Sequence, residues 1–256
     1  MSDNRPSSSS TSTRSLLVPA LALVVAIGLA VAAFAGGGDS EVADEGNQEQ
    51  ALDEGGPDVE EDQPTDEQAE LLEQLERREE GDPLALGDVD APVMMIEWAD
   101  FQCPFCGSFA RDTKPELLDR YVEEGVLRIE WRDFAILGEE SQTAALGARA
   151  AAEQGAFWEM HDEIFAEDRE RNAGHLDEES LIEMAGDLGL DVEQFTDDFG
   201  DPAHVEAAEE DLRLGETLGI TGTPAFLING RPLIGGQPTE VFVEAIDQAA
   251  AEADAT

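Results

Sequence analysis

From Val93 to Phe101 the chain reads Val-Met-Met-Ile-Glu-Trp-Ala-Asp-Phe, and Cys103-Pro104-Phe105-Cys106 follows at once. The apolar run, entered from turn residues between Asp88 and Pro92, has the pattern of a buried strand. Proline suits the first position of a helix, where its missing N–H costs nothing. The junction is therefore strand, tight turn, helix, with Cys103 at the helix N-terminus. Unpaired N–H groups and the helix dipole favour an anion there. A thiol at that point loses its proton more readily and becomes a better nucleophile and leaving group. Cys106 lies one turn further on, within reach of an internal disulfide, and is expected to be the more buried of the two. Two other readings apply to such a pair: half of a zinc site, or two small core residues. A structural zinc needs two more ligands. No cysteine remains, and His161, His175 and His204 lack ligand spacing.

The rest of the domain fits around that junction. Leu84 to Leu86 reads as a short first strand. Phe109, Leu117, Leu118, Tyr121 and Val122 mark a helix with a kink expected at Pro115. Val126 to Trp131 alternates as a strand. From about Ser141 to Leu218 the pattern is helical: alanines at 144–152, then Phe157 to Phe165, Ser180 to Leu188, a capping box at Asp191-x-x-Gln194, and His204 to Leu218. Pro224 to Ile234 reads as a hairpin turning at Asn229-Gly230. Phe242, Ala245, Ile246 and Ala249 place one apolar stripe on a final helix. The expected fold is α/β, with a mixed sheet and a large helical insertion.

Ahead of this domain the chain changes character. Residues 1–14 are polar, with Arg5 and Arg14. Residues 15–35 contain Leu16 to Ala35, twenty residues without a charge, which suffices to cross a bilayer. Arginines before it and acidic residues after it place the N-terminus in the cytoplasm and the remainder outside. An uncleaved anchor is expected; the alternative is a secretory signal cleaved after Ala33-Phe34-Ala35. Residues 36–82 form an acidic, self-repelling linker. Within it, Thr65-x-x-Gln68 and the leucines at 71, 72 and 75 mark a short helix ended by Gly81-Asp82-Pro83. The globular domain is expected over 83–252.

Charge then narrows the setting. The chain has 60 acidic and 14 basic side chains, a net charge of −46, and Lys114 as its only lysine. No basic footprint for nucleic acid is present. Repulsion of this size disfavours a compact fold in dilute buffer. In molar salt the Debye length falls to about 3 Å and screens it. An extreme halophile, haloarchaeal in type, is the expected source.

Taken with its surroundings, the cysteine pair resembles that of the DsbA-like thiol–disulfide oxidoreductases of the thioredoxin fold. The matching stretches are Gly87 to Val93, Glu97 to Cys106, and Gly222-Thr223-Pro224-Ala225-Phe226 with Asn229-Gly230. The resemblance implies catalytic roles for Cys103 and Cys106, modulated by Pro104 and Phe105 between them. It implies a cis-proline loop at Thr223-Pro224 that pairs with an extended substrate. It also implies a buried acid at Glu97 that exchanges a proton with Cys106, with Asp100 as a second candidate. The strong oxidants of the family carry histidine where Phe105 stands, so a less oxidising disulfide is expected. Trp98, Trp131 and Trp158 are expected in the core, as are Phe101 and Phe109.

The activity so implied is disulfide exchange with protein thiols outside the cytoplasm, as an oxidase, with Cys103 as the exposed nucleophile. It needs no metal or organic cofactor. It does need a membrane redox partner for reoxidation. The alternatives are a reductase or isomerase of the same fold, and a non-catalytic peptide-binding adaptor.

Overall fold

The computed structural model describes residues 75–255. The tail, the apolar segment 16–35, its cleavage site, residues 36–74 of the linker and the Thr65–Gln68 capping box all lie outside the described residues. Among the described residues no helix is long and apolar enough to cross a membrane.

The element order is β1 (Ala85–Leu86), β2 (Val93–Ala99), α1 (Pro104–Ser108), α2 (Lys114–Leu117), β3 (Leu127–Asp133), α3 (Glu139–Ala152), α4 (Phe157–Phe165), α5 (Glu178–Asp187), α6 (Val192–Phe199), α7 (Pro202–Thr217), β4 (Ala225–Ile228), β5 (Arg231–Ile234) and α8 (Thr239–Ala253). The five strands form one sheet in the order β1-β3-β2-β4-β5. Strands β2 and β3 are parallel; the other neighbours are antiparallel. The expected α/β fold with a mixed sheet and a helical insertion is the one observed.

The central strand β2 is buried along its whole length, as its apolar run requires. Successive side chains alternate between the two faces. Val93 and Met95 pack with Phe109, Leu117, Phe226 and Phe242 on one face. Met94, Ile96 and Trp98 pack with Phe134 and Leu212 on the other. Gly215 in α7 permits that second contact. A Cβ there would come within 2.7 Å of the Phe134 ring and 3.0 Å of Trp98. A third cluster joins the insertion to the site: Ala144, Ala148, Ala151, Phe157, Met160 and Leu181 share it with Phe101, Cys103 and Cys106.

The irregularity expected at Pro115 takes a specific form. Residues 104–122 run as α1, a π-helical turn (Phe109–Thr113), α2, and a second π-helical turn (Leu118–Val122). Pro115 has no N–H to give to the previous turn. The widened turn, in which Lys114 N–H reaches back to the Phe109 carbonyl, comes directly before it.

The hairpin turns where expected, with Asn229 and Gly230 both at positive φ (43° and 80°). That conformation suits the twist of the flanking strands. Pro232 lies on the edge strand β5, where its missing N–H leaves no gap in the ladder. The capping box at α6 forms only half: the Asp191 carboxylate accepts from Gln194 N–H, but the Gln194 amide donates to Asp198 instead.

One boundary differs from the sequence expectation. Residues 75–82, read as the end of a short helix in the linker, are turn and irregular chain bonded to the sheet. The Arg77 and Arg78 N–H groups donate to the two oxygens of Glu130 at 2.9 Å each, and Arg132 donates to the Leu75 carbonyl at 2.6 Å. This explains why Arg128, Glu130 and Arg132 are buried although they alternate with apolar residues in β3.

Candidate active site

The chain leaves β2 at Ala99, and the carboxylate of Asp100 ties down the turn that follows. Its Oδ1 accepts from Gln102 N–H at 2.8 Å and from the Ser141 hydroxyl at 2.7 Å. Its Oδ2 accepts from the N–H groups of Ile136 and Leu137 at 2.8 and 2.9 Å. With four bonds accepted, Asp100, the second candidate for the proton-exchanging acid, is placed as a holder of the turn. The Asp100 carbonyl accepts from Cys103 N–H at 2.9 Å.

Cys103 is the N-cap of α1, with Pro104 following as the first helical residue. Both cysteines are free thiols. The antiparallel register pairs Trp98 with Ala225, so the residues before β4 lie at the end of β2 from which Cys103 emerges. The Thr223–Pro224 peptide is cis. Cys103 Sγ donates to the Thr223 carbonyl at 3.2 Å. The pair and the proline loop, 120 residues apart in sequence, are in direct contact.

That contact corrects one expectation: Cys103 is 4% exposed, not an open thiol. The start of α1 and the Thr223 loop close over it. It still lines a cleft of about 400 Å³, mouth included, bordered by Gln102, Pro104, Arg111, Phe165 and Arg169. Phe105 is the exposed member of the motif, 62% accessible. It cannot donate to a sulfur. Cys106, as expected, is fully buried.

The two thiols are driven apart in acidity. The Cys103 pKa is lowered from 9.0 to about 6, first by the hydrogen bond from the Cys106 thiol. Burial opposes this, and the Thr223 side chain and the N–H groups of Cys106 and Phe105 assist. Burial pushes Cys106 well above 9.0, and the neighbouring Cys103 adds to that. Glu97, buried on β2, is raised from 4.5 to about 8 by desolvation, with Lys114 pulling it down and Cys103 pushing it up. Its Oε2 has no hydrogen-bond partner. Near neutral pH the arrangement is a thiolate, a thiol and a mostly protonated carboxylic acid.

Alkylation of the reduced protein should therefore follow a single titration with its midpoint near pH 6, assigned by mass to Cys103. Cys106 should stay unmodified while the fold persists. A midpoint near 9 would contradict the geometry. By linkage, a thiol whose folded pKa is depressed stabilises the folded reduced state fully above its unfolded value and loses that as pH falls through about 6.

Sequence reasoning did not single out Lys114 for the site, nor the holding role of Asp100. The sole lysine was visible in the composition, where it spoke only to the solvent. The bonds of Asp100 come from the loop before α3, which no local pattern ties to residue 100.

A cysteine pair opening a helix beside a cis-proline loop, on this sheet order, defines a thioredoxin-fold protein. Comparison agrees: the sequence profile described as Thioredoxin matches residues 79–248, and the chain belongs to that family. It is 34% identical over 169 residues to the Na(+)/H(+) antiporter NhaA 3 of Salinispora tropica, a match covering 65% of this chain and 24% of the antiporter. The chain thus spans about a quarter of the length of that relative. It is 29% identical over 150 residues to the probable disulfide bond formation protein D of Bacillus anthracis, covering 57% and 69%. The crystal structure of oxidised BdbD from Bacillus subtilis superposes with a TM-score of 0.61 at 22% identity, covering 67% of this chain and 94% of that one.

Proposed function

We propose that the protein is an extracytoplasmic thiol–disulfide oxidoreductase that introduces disulfides into protein substrates. One observation carries this reading: the low-pKa Cys103 thiol touches the cis-proline loop while its partner is buried as a thiol. In the oxidised protein a substrate thiolate attacks Cys103 Sγ, and Cys106 leaves as a thiolate that takes up a proton from Glu97. A second substrate thiol, as thiolate, then attacks the substrate sulfur of the mixed disulfide and releases Cys103, whose thiolate is the stabilised one. Two substrate thiols become one disulfide, and the enzyme disulfide becomes a dithiol. Reoxidation falls to a membrane redox partner. Thr223 and Pro224 receive the substrate backbone, while Pro104 and Phe105 tune the pair.

The setting belongs to the same proposal. Residues 16–35 hold the protein to the cell membrane as a single span, with the domain outside, where disulfides persist. Secretion after cleavage is the alternative. The acidic surface is haloarchaeal in type. A specific observation keeps a reductase in view: Phe105 gives no hydrogen bond to the thiolate, so the disulfide is less oxidising than with histidine there.

The oxidised protein, mixed in molar KCl with a reduced two-cysteine peptide, should transfer its disulfide stoichiometrically. Transfer and melting temperature should both decline as KCl is removed. A protein that left the peptide reduced at every salt concentration would sink the oxidase reading. Full stability in dilute buffer would sink the halophilic one.

A further inference from the structure

Of the 14 cationic side chains in the chain, all but residue 114 are arginines. The one exception is in the interior: Lys114, at the start of α2, is 2% exposed. Its Nζ lies 3.1 Å from His161 Nδ1, donates to the Asp162 carboxylate, and sits 4.9 Å from the centre of the Trp158 ring. His161 is walled in by Trp131, Trp158 and Phe165, with ring centres 4.9–5.2 Å away. Asp162, with 59% of its side chain exposed, is the most open member of the group, and Trp158 is partly buried. A compact ammonium with three donors suits such a seat better than the wide guanidinium fork.

Glu97 shares its face of β2 with Val93 and Met95, and the helical run 104–122 that carries Lys114 covers that face through Phe109 and Leu117. A buried carboxyl without a hydrogen-bond partner stays protonated unless a positive charge favours the ion. The titratable and charged groups facing Glu97 are Lys114, Cys103 and Cys106. Those facing Lys114 are Glu97 from β2 and His161 and Asp162 from α4.

We propose that Lys114 is a positioning residue for the Cys106 half of the exchange reaction: its ammonium, pinned by His161, Asp162 and the Trp158 ring, sets how readily Glu97 takes the proton from Cys106. The proposal rests on the reading of Glu97 as the proton partner of Cys106. In the reverse of the step by which Cys106 leaves, Cys106 Sγ passes its proton to the Glu97 carboxylate and attacks Cys103 Sγ in the mixed disulfide. The Cys103–Cys106 bond forms, the bond to the substrate sulfur breaks, and the substrate leaves as a thiolate. No outside oxidant or reductant takes part.

A single lysine makes the test direct. Lysine labelled with ¹⁵N at Nζ gives one side-chain signal in the reduced full-length chain. That signal should step with a midpoint near pH 8, together with the Glu97 carboxyl ¹³C signal. The step should vanish in Glu97→Gln, because the carboxyl whose change of charge the ammonium senses is then gone. In Lys114→Met the pH profile of mixed-disulfide resolution should move up by about one unit, making resolution about fivefold slower at pH 8. The alkylation midpoint of Cys103 should stay in place. A flat Nζ signal through this range, or a step that survives Glu97→Gln, overturns the proposal without any lysine variant having to fold. If Nζ tracks Glu97 but Glu97→Gln leaves the resolution profile unmoved, the reading of Glu97 itself has failed and this proposal falls with it.

Discussion

Serine in place of Cys103 is expected to abolish disulfide exchange, with a loss on the order of 10³-fold or more in both insulin reduction and peptide oxidation. Cys103 is the acidic thiol, the helix N-cap and the residue in contact with the Thr223 carbonyl. Nothing else near it can form a bond to a substrate sulfur, since Cys106 is fully buried and its proton is held tightly. Serine in place of Cys106 should behave differently. Cys103 can still join a substrate sulfur in a mixed disulfide, but no internal thiol remains to release it. Covalent adducts should therefore accumulate and be visible on a non-reducing gel. Equal residual activity in the two variants would mean that the thiols do not divide the work in this way.

The largest expected effect on stability lies away from the cysteines, at Arg149. Its Nε donates to Asp133 at 2.6 Å and a terminal nitrogen donates to Asp211 at 2.6 Å, so one guanidinium on α3 joins β3 to α7. All three residues are buried. Arg149→Met would leave two carboxylates facing each other, with Arg132, 3.5 Å from Asp211, the Arg77 charge and the Trp131 Nε1 bond to Asp133 in partial compensation. Breaking a buried pair in this way costs about 3–5 kcal/mol. For a domain of this size that lowers the melting temperature on the order of 10 °C. The pH dependence has a definite sign. Desolvation and Asp133 raise Asp211 from 3.8 to about 6 even with Arg149 present, and removing a cation raises it further. The variant should recover part of its loss as pH falls through that range, when Asp211 takes up a proton. Molar KCl should not rescue it, because a buried pair is poorly screened. A loss below about 1 kcal/mol, the ordinary value for a surface pair, would contradict the buried-bridge account.

Much of this site could be read before any coordinates, and the reasons are local. Proline between two cysteines after an apolar run fixes a strand-to-helix junction by short-range stereochemistry. Asn229-Gly230 fixes a turn in the same way. The contact between residues 103 and 223 came only through the resemblance, because nothing near either residue encodes their meeting. Long-range burial was not legible at all. Arg128, Glu130 and Arg132 look like the wet face of a strand, yet residues 75–82 and Asp211 cover them. The near-closure of Cys103 depends on a loop 120 residues away. Lys114 was invisible as a site residue because a lone cation in a helix carries no pattern. Its meaning comes from His161 and Asp162, which the insertion brings to it.

The reduction potential of the Cys103–Cys106 pair, measured in molar KCl at pH 7, tests the central claim most directly. The Cys103 pKa of about 6 stabilises the reduced form. At pH 7 that thiolate is worth about 1.4 kcal/mol, or roughly 30 mV, relative to an unperturbed thiol. Without a donor at Phe105 the pair should be more oxidising than thioredoxin and less so than the strongest oxidants of the fold. A value between roughly −240 and −180 mV is expected. A value at or below about −270 mV, where thioredoxin lies, would contradict the account and assign the pair to reduction.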